Sequence, residues 1–350
     1  MRFPHSITIS LGLTITLLVA SFTLRADAAP PNARGANAVQ AELISVRKIW
    51  DAAPHNAFTD LLRFHDRWFC VFREGERHVS PDGALRVITS QDGEHWTSAA
   101  LIKSAKGDLR DAKIRITADD RLMLCGAVAY PKGSPHRHQS LAWFSKNGTN
   151  WSEETPIAEP DYWLWRVTRQ GDDWYGMGYE TGPQPRNLRL YVSRDGGKKY
   201  ETLVPHAGAP GDAGETSILF LPDKKALCLL RRDGKELGSM LGTSQPPYTD
   251  WNWKNVGIRI GGPHLIQLPD GGIIAGGRSY TEQGARTSLW IVDPDELKLT
   301  PLMTLPSRGD TSYPGFVWFN DRLWTSYYSS HEGKTSIYVA EIRLGSSLQD

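Results

Sequence analysis

The chain has 350 residues, among them 33 Gly and 22 Pro, a share of turn-formers above the roughly 12% of an average protein, which disfavours long helices. Its 13 Trp, 12 Tyr and 10 Phe exclude intrinsic disorder, because that much aromatic surface demands burial. With 40 Lys and Arg against 39 Asp and Glu there is no global field to hold nucleic acid or an anionic membrane, so recognition of any anion must be local.

Residues 1–28 read as a secretory signal peptide: Met1-Arg2 opens a short basic segment, Ile7 to Leu24 is apolar, and Ala26-Asp27-Ala28 offers a small-x-small cleavage site. No Cys follows to carry a lipid, and no later stretch reaches the roughly 18 apolar residues of a membrane span, so a secreted or periplasmic protein starting at Ala29 is expected. Cys70, Cys125 and Cys228 each lie in an apolar run and are odd in number, which predicts buried thiols. The chain has no CxxC, HExxH, P-loop or GxSxG. His136-Arg137-His138 lies in a polar, Pro-flanked loop and reads as solvated surface rather than a metal site. No metal or organic cofactor is implied; a structural Ca²⁺ on loop carbonyls would leave no sequence signature.

Self-similarity follows. From Phe58, Ala112, Trp165, Glu215, Gly262 and Tyr313 the chain repeats an apolar strand, a polar turn and a second apolar strand. The turns (HDR, ADDR, QGDD, PDKK, PDGG, NDR) are hairpin chemistry. A period of about fifty residues with about four short strands per unit predicts a β-propeller, here an all-β domain of six blades over residues 29–350. The last unit has no room for a fourth strand, so Glu42 to Trp50 is expected to join blade six and close the ring. Two β-sandwich domains are the alternative, but no linker divides the chain.

Three units end in a sharper motif: Ser90-Gln91-Asp92-Gly93-Glu94-His95-Trp96, Ser145-Lys146-Asn147-Gly148-Thr149-Asn150-Trp151, and Ser193-Arg194-Asp195-Gly196 running to Tyr200. They resemble the Asp-box of the sialidase superfamily, which implies a six-bladed sialidase-like propeller. Its physics is structural: a carboxylate or amide caps backbone N–H groups, Gly takes φ > 0 and the ring packs between strands.

Starts of innermost strands and ends of second strands share one rim of a propeller's channel, where loops on a rigid scaffold build sites. The starts offer Asn56 and Asp60, Arg110 and Asp111, Trp165 and Arg166, Glu215, His264, and Asp310 with Tyr313. The ends offer Arg73 and Glu74, Tyr130, Tyr179, Arg231 and Arg232, Arg278, and Tyr327 with His331. Such a collection suits binding and cleavage of an acidic sugar.

The sialidase resemblance extends into this set. Glu215 precedes Arg231 by 16 residues, similar to the family's Glu-to-Arg arrangement, Arg278 follows in blade five, and Tyr313 sits where the family's nucleophilic Tyr opens the last blade. The resemblance implies Tyr313 as nucleophile, Glu215 as its base, and Arg231 and Arg278 on the substrate carboxylate. In blade one Asn56-Ala57-Phe58-Thr59-Asp60 stands where the family carries its first Arg, leaving Arg73 or Arg110 to supply that guanidinium. Asp60 and Asp111 are the acid/base candidates, with Asp82 behind them. Trp163, Trp165 and Arg166 are candidates for holding sugar rings, and His264 and His331 for hydrogen bonding at the rim.

The expected activity is therefore an exo-acting glycoside hydrolase releasing a terminal acidic sugar, sialic acid or uronate, from a glycan. The alternatives are a propeller lyase on uronates, in which His or Tyr removes the C5 proton, and a non-catalytic glycan-binding propeller. A glycan partner, no nucleic acid and a monomer are expected.

Overall fold

The computed structural model describes residues 40–234 and 238–345, so the expected signal peptide lies outside the described residues. The unit Val39–Asp350 consists of six four-stranded antiparallel sheets with no helix among the described residues. It is a six-bladed β-propeller. Blade 1 runs from His55 to Ile102, blade 2 from Asp108 to Pro156, blade 3 from Tyr162 to Val204, blade 4 from Ala213 to Asn255 and blade 5 from Gly261 to Thr304. Blade 6 takes three strands from Thr311–Leu344 and its outermost strand from Ala41–Trp50, which pairs antiparallel with Ser336–Leu344. The N-terminal strand thus closes the ring as expected.

Local chemistry sets the blades. His65-Asp66 and Asn320-Asp321 are two-residue hairpin loops with positive φ at both positions, the twist-matched geometry that short polar residues tolerate. In the turn after Ser90, Asp92 Oδ1 accepts the backbone N–H groups of Glu94 and His95 at 2.8 Å, and Trp96 Nε1 donates to Gly93 O at 3.0 Å. Asn147 and Asp195 cap their turns in the same way.

Blades stack through aromatic layers. Trp68 of blade 1 packs against Phe319 and Trp324 of blade 6, with ring centroids 5.5 and 4.7 Å away. Their innermost strands approach so closely that a Cβ on Gly315 would lie 2.3 Å from Leu61 N. Cys70, Cys125 and Cys228 are buried free thiols, as expected. No helix among the described residues is long and apolar enough to cross a membrane.

One irregularity recurs in every blade. Each innermost strand carries one residue more than its partner near its start, in the stretches Ala57–Asp60, Arg110–Lys113, Leu164–Arg166, Ala213–Thr216, Gly261–His264 and Ser312–Gly315. Such a bulge bends the strand and re-aims its side chains. Four of the six hold a residue with φ near +60°: Phe58, Asp111, Gly262 and Tyr313.

Candidate active site

The bulges divide each innermost strand into two ring positions with different fates. Residues at the bulge (Phe58, Asp111, Gly214-Glu215 and Tyr313) line a cleft of about 410 Å³ at the channel mouth. Residues just beyond it (Asp60, Lys113, Arg166 and His264) are buried and stand outside the cleft lining.

In the cleft the Tyr313 hydroxyl donates a short hydrogen bond to Glu215 Oε1. The other carboxylate oxygen accepts from Arg231 at 2.8 Å and from the Gly262 backbone N–H at 2.9 Å. Arg231 also reaches the Tyr313 oxygen at 3.1 Å. Gly262 is required twice over: its φ is +58°, and a Cβ there would sit 2.6 Å from the Tyr313 ring. Burial pushes the Tyr313 phenol well above its usual pKa, and the Glu215 charge adds to this. Burial works against the Glu215 carboxylate, but Arg231 and the Tyr313 hydrogen bond outweigh it and hold its pKa below the ordinary value. At rest the pair is thus phenol and carboxylate, one proton transfer from phenoxide and carboxylic acid.

Around this pair stand Asp111, Arg110, Arg186, Asp233, His78 and His138, with Trp163 and Tyr179 as stacked aromatic wall, centroids 6.2 Å apart and planes 9° apart. Burial raises the Asp111 carboxyl above its ordinary pKa, against the pull of Lys113 and Arg110. Arg110 makes one ion pair among the described residues, to Asp108 at 3.3 Å, and its guanidinium lies over the Phe58 ring. Arg231 and Arg186 converge on Asp233, and Arg186 also pairs with Asp212 at 2.8 Å.

Glu215, Tyr313, Arg231, Asp111 and Arg110 are thus brought together as the sequence implied. The others fall elsewhere. Asp60 is fully buried in the channel, its two oxygens held by Arg166 at 3.0 Å and Arg115 at 2.8 Å, so it has no access to a substrate as acid or base. Those arginines outweigh burial and keep its carboxyl below the ordinary range. Arg166 is 1% exposed and bonds His264 Nε2 at 3.2 Å, while His264 Nδ1 donates to Pro314 O at 3.1 Å. Burial, with Arg166 beside it, takes His264 well below its ordinary pKa. Neither residue contacts the cleft. Trp165, also 1% exposed, supports Tyr313 from behind with centroids 5.7 Å apart, and offers no face to a sugar.

Arg73 has no exposure: it donates to Asp108, Arg77 O and Ser80 O, clamping the loop after its own strand, and leaves nothing for a substrate carboxylate. Arg278 lies behind Tyr313, its guanidinium 5.5 Å from the ring centroid and bonded to Thr311 O, Asp310 and Tyr328. His331 bonds Ser329 and packs on Tyr338 outside the cleft lining, and Asp82 caps the Glu76 N–H at an exposed position.

Sequence reasoning passed over His78, Arg186 and Asp233. His78 lies four residues past the strand end Glu74, and Asp233 one residue past Arg232, so extending the rim search into each loop would have found both. His138 corrects the reading of its loop. His136 and Arg137 are exposed and bond Asp161, but His138 lines the cleft against Trp163, centroids 4.8 Å apart, and burial lowers its pKa to about 4.

No family model matches the chain and no curated protein matches it in sequence. Solved structures do match. A protein of unknown function from Dyadobacter fermentans superposes with TM-score 0.75 at 17% identity, covering 87% of this chain and 99% of that one. The Penicillium chrysogenum alpha-L-arabinanase, complexed with arabinobiose, gives 0.63 at 12%, covering 86% and 98%. The Trypanosoma rangeli sialidase gives 0.63 at 11%, covering 87% of this chain and 60% of its own. At these identities the likeness is one of fold: this chain has the propeller that those proteins share.

Proposed function

We propose that the protein is an exported glycoside hydrolase of sialidase type that releases a terminal acidic sugar with retention of configuration. The hydrogen-bonded Tyr313–Glu215 pair beside Arg231 carries this reading. A phenol with a pKa of about 10 or above is a poor nucleophile at neutral pH, and a carboxylate already bonded to it can take its proton as the new bond forms. Arg231, bonded to Glu215, Tyr313 and Asp233, lines the cleft and meets the substrate carboxylate as it binds. Arg110, with a single ion pair, is the second guanidinium for that carboxylate, in place of the Arg that blade 1 lacks. Asp111 lines the cleft as a carboxyl within reach of a sugar hydroxyl, and Trp163 and Tyr179 supply the apolar wall.

The test is incubation of the chain from Ala29 onward with sialosides, uronides and neutral glycosides, read by mass spectrometry and ultraviolet absorbance. Intact acidic sugar is the expected product. An unsaturated product would mean a lyase, and binding without turnover on every member of the panel would mean a glycan-binding propeller.

A further inference from the structure

We propose that His78, held by Asp310, is the group that protonates the departing glycosidic oxygen and then activates water; this rests on Tyr313 being the nucleophile. His78 stands on the loop between the second and third strands of blade 1 and lines the cleft. Its ring meets Phe58 edge-on at 5.1 Å, and Tyr313 meets the same Phe58 at 5.0 Å, so one aromatic ring spaces the two across the site.

His78 Nδ1 lies 2.6 Å from Asp310 Oδ2. A carboxylate only accepts, so Nδ1 carries the proton and the ring is fixed with Nε2 left over. Nε2 makes no hydrogen bond among the described residues, and the side chain is 47% exposed. Asp310 itself is anchored: Oδ2 also accepts from His55 Nε2 at 2.9 Å, and Oδ1 from Tyr328 at 2.9 Å and Arg278 at 3.2 Å. The loop is built as well, since Arg73 ties Arg77 O and Ser80 O to the buried Asp108. Arg73 and Arg278, two arginines that the sequence assigns to the substrate, instead hold the parts of this dyad.

Other cleft groups are less suited. Glu215 is committed to Tyr313 and Asp233 to three arginines. Asp111, 6% exposed, has little solvent from which to recover a proton each turnover. A metal held by His55, His78 and Asp310 is the competing use of the same atoms, which lie within 4.8 Å of one another. His55 Nδ1, however, is buried without a partner, whereas a metal-bound imidazole gives that N–H to a second acceptor.

In the first half-reaction Tyr313 oxygen bonds the anomeric carbon, its proton passes to Glu215, and the bond to the leaving oxygen breaks with its electron pair as that oxygen takes the Nε2 proton of an imidazolium. In the second half, water oxygen bonds the anomeric carbon as neutral Nε2 takes the water proton. The phenolic oxygen leaves with its electron pair and regains its proton from Glu215.

The test compares α2,3-sialyllactose, whose leaving alkoxide needs a proton, with 4-methylumbelliferyl α-sialoside, whose phenol leaves unaided. His78→Ala is expected to lose roughly 10²-fold or more on the first and less than about 10-fold on the second. Asp310→Asn should follow in the same direction with a smaller loss, and Tyr313→Phe should lose both substrates alike. Equal losses for His78→Ala, or the selective loss appearing in Asp111→Asn instead, would overturn the proposal. Long-range ¹H–¹⁵N spectra of the unliganded protein give an arm independent of turnover. Neutral His78 is expected as the Nδ1–H tautomer, and that preference should disappear in Asp310→Asn. An Nε2–H tautomer, or stoichiometric Zn²⁺ capture lost in His78→Ala, would overturn it. If the wild type cleaves neither sialoside, the sugar assignment fails and the tautomer alone decides the dyad.

Discussion

Two rings of side chains lie a few residues apart along the innermost strands of the blades, and they treat the same residue types in opposite ways. At the bulges, Asp111, Arg110, Glu215 and Tyr313 line the cleft. One step inward, Asp60, Arg166, Lys113 and His264 stand outside that lining, with Asp60 shared between Arg166 and Arg115. Burial there, with Arg166 adding its charge, drops the Lys113 ammonium to about 8. The inner ring ties blades 1, 2, 3 and 5 together, while the outer ring lines the cleft. The lesson is that a single extra residue per strand decides whether an Asp is a structural counter-ion or a cleft acid.

The largest effect should come from the inner ring. Asp60→Ala leaves Arg166 uncompensated in the channel and is expected to cost ~3–5 kcal/mol of stability, read from urea denaturation. If the midpoint hardly moves, the channel is not the sealed ion cluster described. In the outer ring the signs are exchanged. Tyr313→Phe should leave the urea midpoint near that of wild type and lower kcat by roughly 10²-fold or more. A folded variant with undiminished turnover removes Tyr313 from the chemistry.

Gly262→Ala acts on both rings at once. Its φ of +58° disfavours a Cβ by about 1–3 kcal/mol, and the new methyl displaces the Tyr313 ring. Stability and kcat/KM should both fall, the latter by about 10-fold or more. Unchanged kinetics would show that the Tyr313–Glu215 geometry tolerates movement.

The smallest effect concerns pH. His138 titrates near 4 in the folded protein against 6.5 ordinarily, because burial disfavours its charged form. The unfolded chain therefore takes up this proton first as pH falls, so His138 contributes to stability above about 6.5 and that contribution is lost between 6.5 and 4. In His138→Gln the loss of stability from pH 7 to pH 4.5 should be smaller than in wild type. An identical loss would mean that His138 is as hydrated folded as unfolded.

Much of this architecture is legible in the sequence. Hairpin turns at a period of about fifty residues declare the blades, and the orphan Glu42–Trp50 strand declares the closure. Glu215, Arg231 and Tyr313 are legible because each keeps a fixed place relative to a strand start or end. What stays hidden is register. Asp60 and Asp111 look alike as acidic residues near strand starts, but Asp111 sits on its bulge as Phe58 does, and Asp60 holds the place of Lys113, two residues further on. Arg73 and Arg278 show a second limit. Their residue type suits a carboxylate ligand, yet their donors are taken by Asp108, Asp310 and carbonyls from distant segments, which spacing does not reveal.

The central claim is that Tyr313 attacks the sugar. Its most direct test is peptide mapping by mass spectrometry after incubation with a fluorinated glycosyl fluoride of whichever acidic sugar the protein releases, a reagent that slows breakdown of a covalent intermediate. A glycosyl adduct on the peptide containing Tyr313, absent in Tyr313→Phe, is the expected result. An adduct on Glu215 or Asp111 would contradict the account.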